Sequence, residues 1–188
     1  MGTHKLLLEI EGETVIARLV RQLQDGGIDQ IHVLVREDDA KLREELYETQ
    51  AAVHLAFGDT VDMKASVTLL LSILTDQSLL RERDGWLLIP ADHPIVEPRL
   101  LSLLIEAWQH NPEQIVVPSV AGKRGHPTIF PASLVGQLPS IPDDQGLNWL
   151  LHRDENAVLE LACDEHSIHW DLDTPEDWEQ FEERFRSR

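Results

Sequence analysis

The sequence is poor in several things that would each have pointed to a class of protein. It has a single cysteine, Cys163, in 188 residues. An internal disulfide is therefore excluded, and a reducing cytoplasm is the expected setting. No apolar run approaches the ~20 residues that a membrane-crossing helix needs. Glu9, Glu11 and Glu13 interrupt the start, which argues against a secretory signal. Positive charge is scarce as well: 16 Lys and Arg stand against 34 Asp and Glu, a formal net charge of -18. A protein that wraps nucleic acid needs a basic face, so that class is excluded. A small nucleotide is not, because one Lys, a few backbone N–H groups and a metal held by carboxylates can neutralise its phosphates.

The familiar signatures of zinc and nucleophile chemistry are also missing: there is no C-x-x-C, no H-E-x-x-H and no G-x-S-x-G. The five tryptophans are widely spaced and read as core or rim packing rather than a base-stacking platform.

What is present is a rhythm. Val15, Ile16, Leu19, Val20 and Leu23 recur at helical spacing, with Thr14 before them and Gly26-Gly27 after. "IHVLV" reads as a buried strand, Asp38 to Leu46 as a helix, "AVHLAF" as a strand and Met63 to Leu74 as a helix. "WLLIPADHP" gives a strand that stops at a Pro-bounded loop. Pro98 to His110 reads as helix, "QIVVPSV" and "GHPTIF" as extended, and Asn148 to His152 as a short helix. Thr174, Pro175, Glu176 and Asp177 together mark the start of a terminal helix. The alternation predicts one domain over residues 1–188, α/β, with a mainly parallel sheet and ligands beyond the carboxyl ends of its strands.

Three stretches carry candidate chemistry. Asp92 follows the apolar run from Trp86 to Ile89, so its carboxylate projects from a strand end into the ligand crevice; a loop Asp that only caps a turn is an equally good account. Asp171 and Asp173 flank Leu172, and two like charges on one face of an extended segment call for a cation between them. The plainer use of such residues is to cap the terminal helix. "GKRGHP" is a basic turn in an acidic chain, where Lys123 or Arg124 can meet a phosphate and His126 a substrate, although a solvated loop explains it as simply.

Taken in order, these segments resemble the nucleotidyltransferase family of the molybdenum cofactor cytidylyltransferases and guanylyltransferases. "MGTHKLL" is similar to the end of the loop L-A-A-G-x-S-x-R-M-G-x-x-K, which makes Gly2 and Lys5 nucleotide-binding and Lys5 the phosphate-binding lysine. "DMKASVTLLLSIL" resembles G-M-x-x-S-L, with Ser66 at the serine and so implied to be nucleotide-binding. "PADHPIV" resembles G-D-x-P-x-V, with Asp92 as metal ligand. "RGHPTIF" and "DDQGLNWLL" resemble R-G-H-P-x-x-F and G-D-x-G-x-x-x-L-L, which places Arg124, His126 and Asp144 at the substrate. "DLDTPEDW" resembles D-I-D-T-P-E-D and adds Asp173, with Asp171 as second choice, to the metal.

The resemblance implies a Rossmann-like three-layer sandwich of the nucleotide-diphospho-sugar transferase type. It implies magnesium-dependent transfer of a nucleoside monophosphate, CMP from CTP favoured, to the phosphate of a molybdopterin-type acceptor, with release of pyrophosphate. The pattern's first strand and the glycine-containing half of its loop have no counterpart in these residues. The expectation is that the natural protein continues upstream of Met1 and that this short form is impaired. A catalytically silent binding module and a transferase for a sugar or alcohol phosphate stay open, as does a homodimer.

Overall fold

The computed structural model describes residues 5–153 and 156–186. After a single turn of 3-10 helix at Lys5–Leu7, a short hairpin forms from β1 (Glu9–Ile10) and β2 (Glu13–Thr14) and leads into α1 (Val15–Asp25). Thr14 caps α1, its Oγ1 accepting from the Ala17 N–H at 3.2 Å. This is the commonest way to satisfy an orphan first-turn donor. Ile16, Leu19, Val20 and Leu23 are buried, as their spacing predicts. At the other end, a Cβ on Gly26 would lie 2.3 Å from Leu101 Cδ1. Only a glycine allows the later helix that carries Leu101 to pass so close.

The chain continues through β3 (His32–Arg36), α2 (Ala40–Tyr47), β4 (Ala52–Ala56), α3 (Met63–Asp76) and β5 (Gly85–Leu88). It then forms α4 (Pro98–His110), β6 (Ile115–Val120), β7 (Lys123–Arg124), β8 (Thr128–Pro131), β9 (Val158–Ala162) and α5 (Pro175–Arg186). Single-turn and irregular 3-10 segments at Ala132–Ser140, Leu147–His152 and His166–His169 fill the connections. The α/β class holds, and every helix and strand expected from the periodicity is present. Asn148 to His152 is 3-10 rather than α.

Two hydrogen-bonded ladders carry the fold. β3 and β4 pair in parallel, Val33 beside Val53 and Val35 beside Leu55. The larger sheet runs β5, β8, β6, β7, with β9 on β6. β8 is antiparallel to both β5 and β6, whereas β9 is parallel to β6. β5, β6 and β9 therefore share one direction and β8 alone is reversed among these long strands. β6, with partners on both sides, is buried at all six positions. It forms the floor against which Leu100, Leu104, Ile129 and Ile168 pack.

On the opposite side Trp86 stacks on Phe130, ring centroids 4.4 Å apart, within a cluster that includes Leu71, Leu74 and Leu150. A third cluster joins the two ladders: Val33, Val35 and Val53 meet Leu87 and Ile89 around Leu19, Leu46 and Leu101. Although β3 and β5 share this core, no described residues pair them with each other.

Candidate active site

The carboxyl end of β5 runs through Ile89 and Pro90 into a tight turn, with the His93 N–H donating to the Pro90 carbonyl at 3.2 Å. Ile95 and Val96 behind the turn are buried. The Val96 N–H donates to the side-chain oxygen of Gln22 on α1 at 3.0 Å. The turn is thus pinned from below by apolar packing and from the side by an amide. Asp92 is left to project from its tip, with 18% of its side chain exposed.

Lys5 comes to that carboxylate from 87 residues earlier in the chain. Its Nζ donates to Asp92 Oδ2 at 2.5 Å and to Asp173 Oδ1 at 3.0 Å. Burial works against the ammonium, but the hydrogen bonds to Asp92 and Asp173 outweigh it, and the pKa of Lys5 lies above the usual lysine value. Asp173 is available for this because it is not the helix cap. Thr174 takes that role in a reciprocal box: its N–H donates to Asp177 Oδ2 at 2.7 Å and the Asp177 N–H donates to Thr174 Oγ1 at 3.1 Å. The capping account of "DLDTP" is therefore realised on Thr174 rather than on Asp173. Leu172 is buried and its N–H donates to the Asp92 carbonyl at 3.3 Å, which fastens the segment beside the turn.

Asp171 lies on the other side of Leu172. It lines a shallow recess of about 110 Å³ with Pro94, His169, Trp170 and Asp177, and does not share the Lys5 ammonium. The two carboxylates are thus not side by side on one face, because the segment is irregular rather than a strand.

Beneath Asp92 sits a feature that the sequence did not single out. His93 is 3% exposed, and burial first, then the neighbouring His126, pushes its pKa down to about 4. The His126 ring stands edge-on to it, centroids 6.3 Å apart, and burial lowers the pKa of His126 as well. His126 bonds the Leu88 backbone, while its Nδ1 is buried with no hydrogen-bond partner among the described residues. The only sequence signal for His93 was its place between Asp92 and Pro94. "RGHP" reaches this position because Gly125 lets the strand lie against the 165–170 segment: a Cβ there would sit 2.4 Å from the Ile168 carbonyl oxygen.

The remaining candidates lie elsewhere. Arg124 holds Glu160 of β9 through two guanidinium nitrogens, at 2.8 and 2.7 Å, so in this structure it serves the sheet. Ser66 bonds the Thr60 hydroxyl at 2.6 Å near the start of α3, which Asp62 caps through the Ala65 N–H. Asp144 is exposed in the turn before Leu147, and Lys64 reaches the adjacent Pro142 carbonyl at 2.8 Å. Gly2 lies outside the described residues.

Asp92 and Asp173 thus converge on the Lys5 ammonium just beyond the carboxyl end of β5, where ligands bind in open α/β sheets. The chain belongs to the family of the MobA-like NTP transferase domain, whose profile matches residues 1–158, and it is a nucleotidyltransferase. Rv0371c from Mycobacterium tuberculosis H37Rv superposes with a TM-score of 0.78 at 27% identity, over 97% of this chain and 91% of that one. The same protein in complex with manganese gives 0.73 at 25% identity, over 95% and 91%. A cytidylyltransferase from Leptospira borgpetersenii, with a TM-score of 0.74 at 17% identity over 98% and 80%, shares the fold. No curated protein sequence matches the chain. No described helix is long and apolar enough to cross a membrane.

Proposed function

We propose that the protein transfers CMP from CTP to the phosphate of a molybdopterin-type acceptor and releases pyrophosphate. The observation that carries this reading is the pair of carboxylates, Asp92 and Asp173, gathered on a single cation at the end of β5. Their oxygens are hard donors of the kind magnesium takes, one or two carboxylates being its usual protein share alongside substrate phosphates. The donor set fits such an ion, because one oxygen of each carboxylate already contacts a positive charge. The manganese complex of the similar mycobacterial protein supports a divalent ion in this family. Bound there, such an ion would supply charge neutralisation at the α-phosphate.

The protein's own residues do the rest. Asp92 and Asp173 hold and orient that charge. Lys5 holds the triphosphate, so that negative charge developing in transfer meets a fixed positive one. His93, kept neutral by burial, supports the Asp92 turn from below without adding a competing charge. Their motifs assign Ser66 to the nucleotide and His126, Arg124 and Asp144 to the substrate, and for Arg124 that role requires release of Glu160. No protein nucleophile is needed, since the acceptor phosphate attacks directly.

"RGHP" with "DLDTP" favours the cytidylyl over the guanylyl branch, and the Leptospira neighbour is compatible with that choice. It is also compatible with a sugar or alcohol phosphate acceptor. The test is pyrophosphate release with magnesium, each nucleoside triphosphate and a panel of acceptors. CTP with a molybdopterin-type acceptor should exceed every other combination, and Asp92→Asn should lower that rate at least ~100-fold, given the weight of such electrostatic contacts. Release with a sugar or alcohol phosphate alone would replace the acceptor. No release with any pair, together with no nucleotide-induced thermal shift, would make the chain a binding module.

A further inference from the structure

We propose that Lys5 is an internal counter-ion that holds the metal position closed until a divalent ion displaces it, and that this displacement releases its ammonium to the phosphates. The inference rests on Asp92 and Asp173 being the metal ligands. It adds an order of events that the ligand assignment alone does not contain.

For a metal on the two oxygens that Lys5 now holds, the geometry requires an exchange rather than a coexistence. Lys5 Nζ is 2.5 Å from Asp92 Oδ2 and 3.0 Å from Asp173 Oδ1. A magnesium ion that touched both oxygens would lie at about 2.0–2.1 Å from each. That is the space the ammonium now fills, and two cations cannot share it. Without any cation the two carboxylates would face each other in a chain whose net charge is already -18. Lys5 removes that cost. It can also leave, because a third of its side chain is exposed and it belongs to a single turn of 3-10 helix at Lys5–Leu7.

One consequence follows for substrate order. While Lys5 is held by Asp92 and Asp173, a free triphosphate meets two carboxylates and an ammonium already spoken for. Once a divalent ion takes the carboxylates, the same ammonium stands beside the site with no anion of its own. Metal binding and lysine release are then one event, and the site accepts a nucleotide with its metal or after it, but not before.

Two measurements test this without relying on turnover. In the wild-type protein, the amine of Lys5 is labelled with a limiting acylating reagent and read by mass spectrometry, with the exposed Lys41 as internal reference. Magnesium alone, with no nucleotide, should raise Lys5 labelling several-fold relative to Lys41; an unchanged ratio overturns the proposal. Separately, manganese binding is followed by loss of the free-ion resonance. Lys5→Met should bind manganese about tenfold more tightly than wild type, because a competitor that occupies most molecules lowers apparent affinity by the free fraction. Equal or weaker binding by Lys5→Met overturns the exchange while leaving the metal site in place. Manganese binding that survives Asp92→Asn and Asp173→Asn unchanged removes the metal-site reading, and the exchange with it.

Discussion

Gln22 shows how a residue distant from the site can decide where its key carboxylate stands. Its side-chain oxygen receives the Val96 N–H at 3.0 Å, and both groups are buried. A buried donor left without an acceptor costs about 1–3 kcal/mol. Gln22→Leu should therefore lower the free energy of unfolding by that amount, read from the urea midpoint, and it should weaken divalent-ion binding by loosening the Asp92 turn. Unchanged stability would show that water satisfies Val96 and that the amide is not the pin. Lys5 was singled out only by the resemblance of "MGTHKLL" to a family loop, and Asp92 and Asp173 by their short patterns as well; that the three meet, across 87 and 168 positions, no local pattern says. Gln22 was not singled out, since it read as one more position on a helix and its partner is 74 residues away. His93 was passed over for a related reason: nothing in "ADHP" says which of its polar residues turns inward.

At the scale of elements, the β3–β4 ladder carries a feature that no periodicity announces. His32 Nδ1 and His54 Nε2 lie 3.0 Å apart across the two strands, and the rings are tilted with centroids 5.2 Å apart. Burial first, and then His54, lowers the pKa of His32; burial lowers that of His54. Both start from an ordinary value of 6.5, which the unfolded chain keeps. Below that value the unfolded state takes up more protons than the folded one. The stability is thus fully present above about pH 6.5 and is lost as pH falls toward the lower folded values.

Urea unfolding at pH 7.5 and at pH 5.5 should show this loss in the wild type and a smaller one in the His32→Leu/His54→Leu double variant. The difference should shrink without vanishing, because His93 and His126 are also held below the usual histidine value. An identical loss in both proteins would remove the pair from the account. The strands themselves were legible, since "IHVLV" and "AVHLAF" are β-branched and apolar. The pairing of their histidines depends on register, which the sequence of either strand alone does not fix.

For the whole molecule, the interrupted sheet sets the order in which parts open. Alternation in the parallel ladder follows from two bonds: the Ala52 N–H donates to Ile31 and the Glu37 N–H to Ala56. Amides of Val33 and Val35 then face β4, and the Leu34 amide faces the opposite edge. In β5, the Ala132 N–H donating to Asp84 sets the register, so Trp86 and Leu88 face β8 and Leu87 faces away from it. Leu34 and Leu87 thus present their backbone toward the interruption, where no described residues pair with them; Leu87 packs into the shared cluster. β3 and β5 are correspondingly half-buried along most of their length, in contrast to the fully buried β6.

Hydrogen exchange followed residue by residue should therefore find Leu34 and Leu87 fast, Val35 and Trp86 intermediate, and Val116 and Val117 slowest, close to global unfolding. Exchange at Leu34 and Leu87 as slow as at Val117 would mean that these edges are paired after all. With fast exchange there, the Asp92 turn sits at the end of a strand anchored on one side only, and the Lys5 bridge to Asp92 and Asp173 becomes a tie for that strand end as well as a charge.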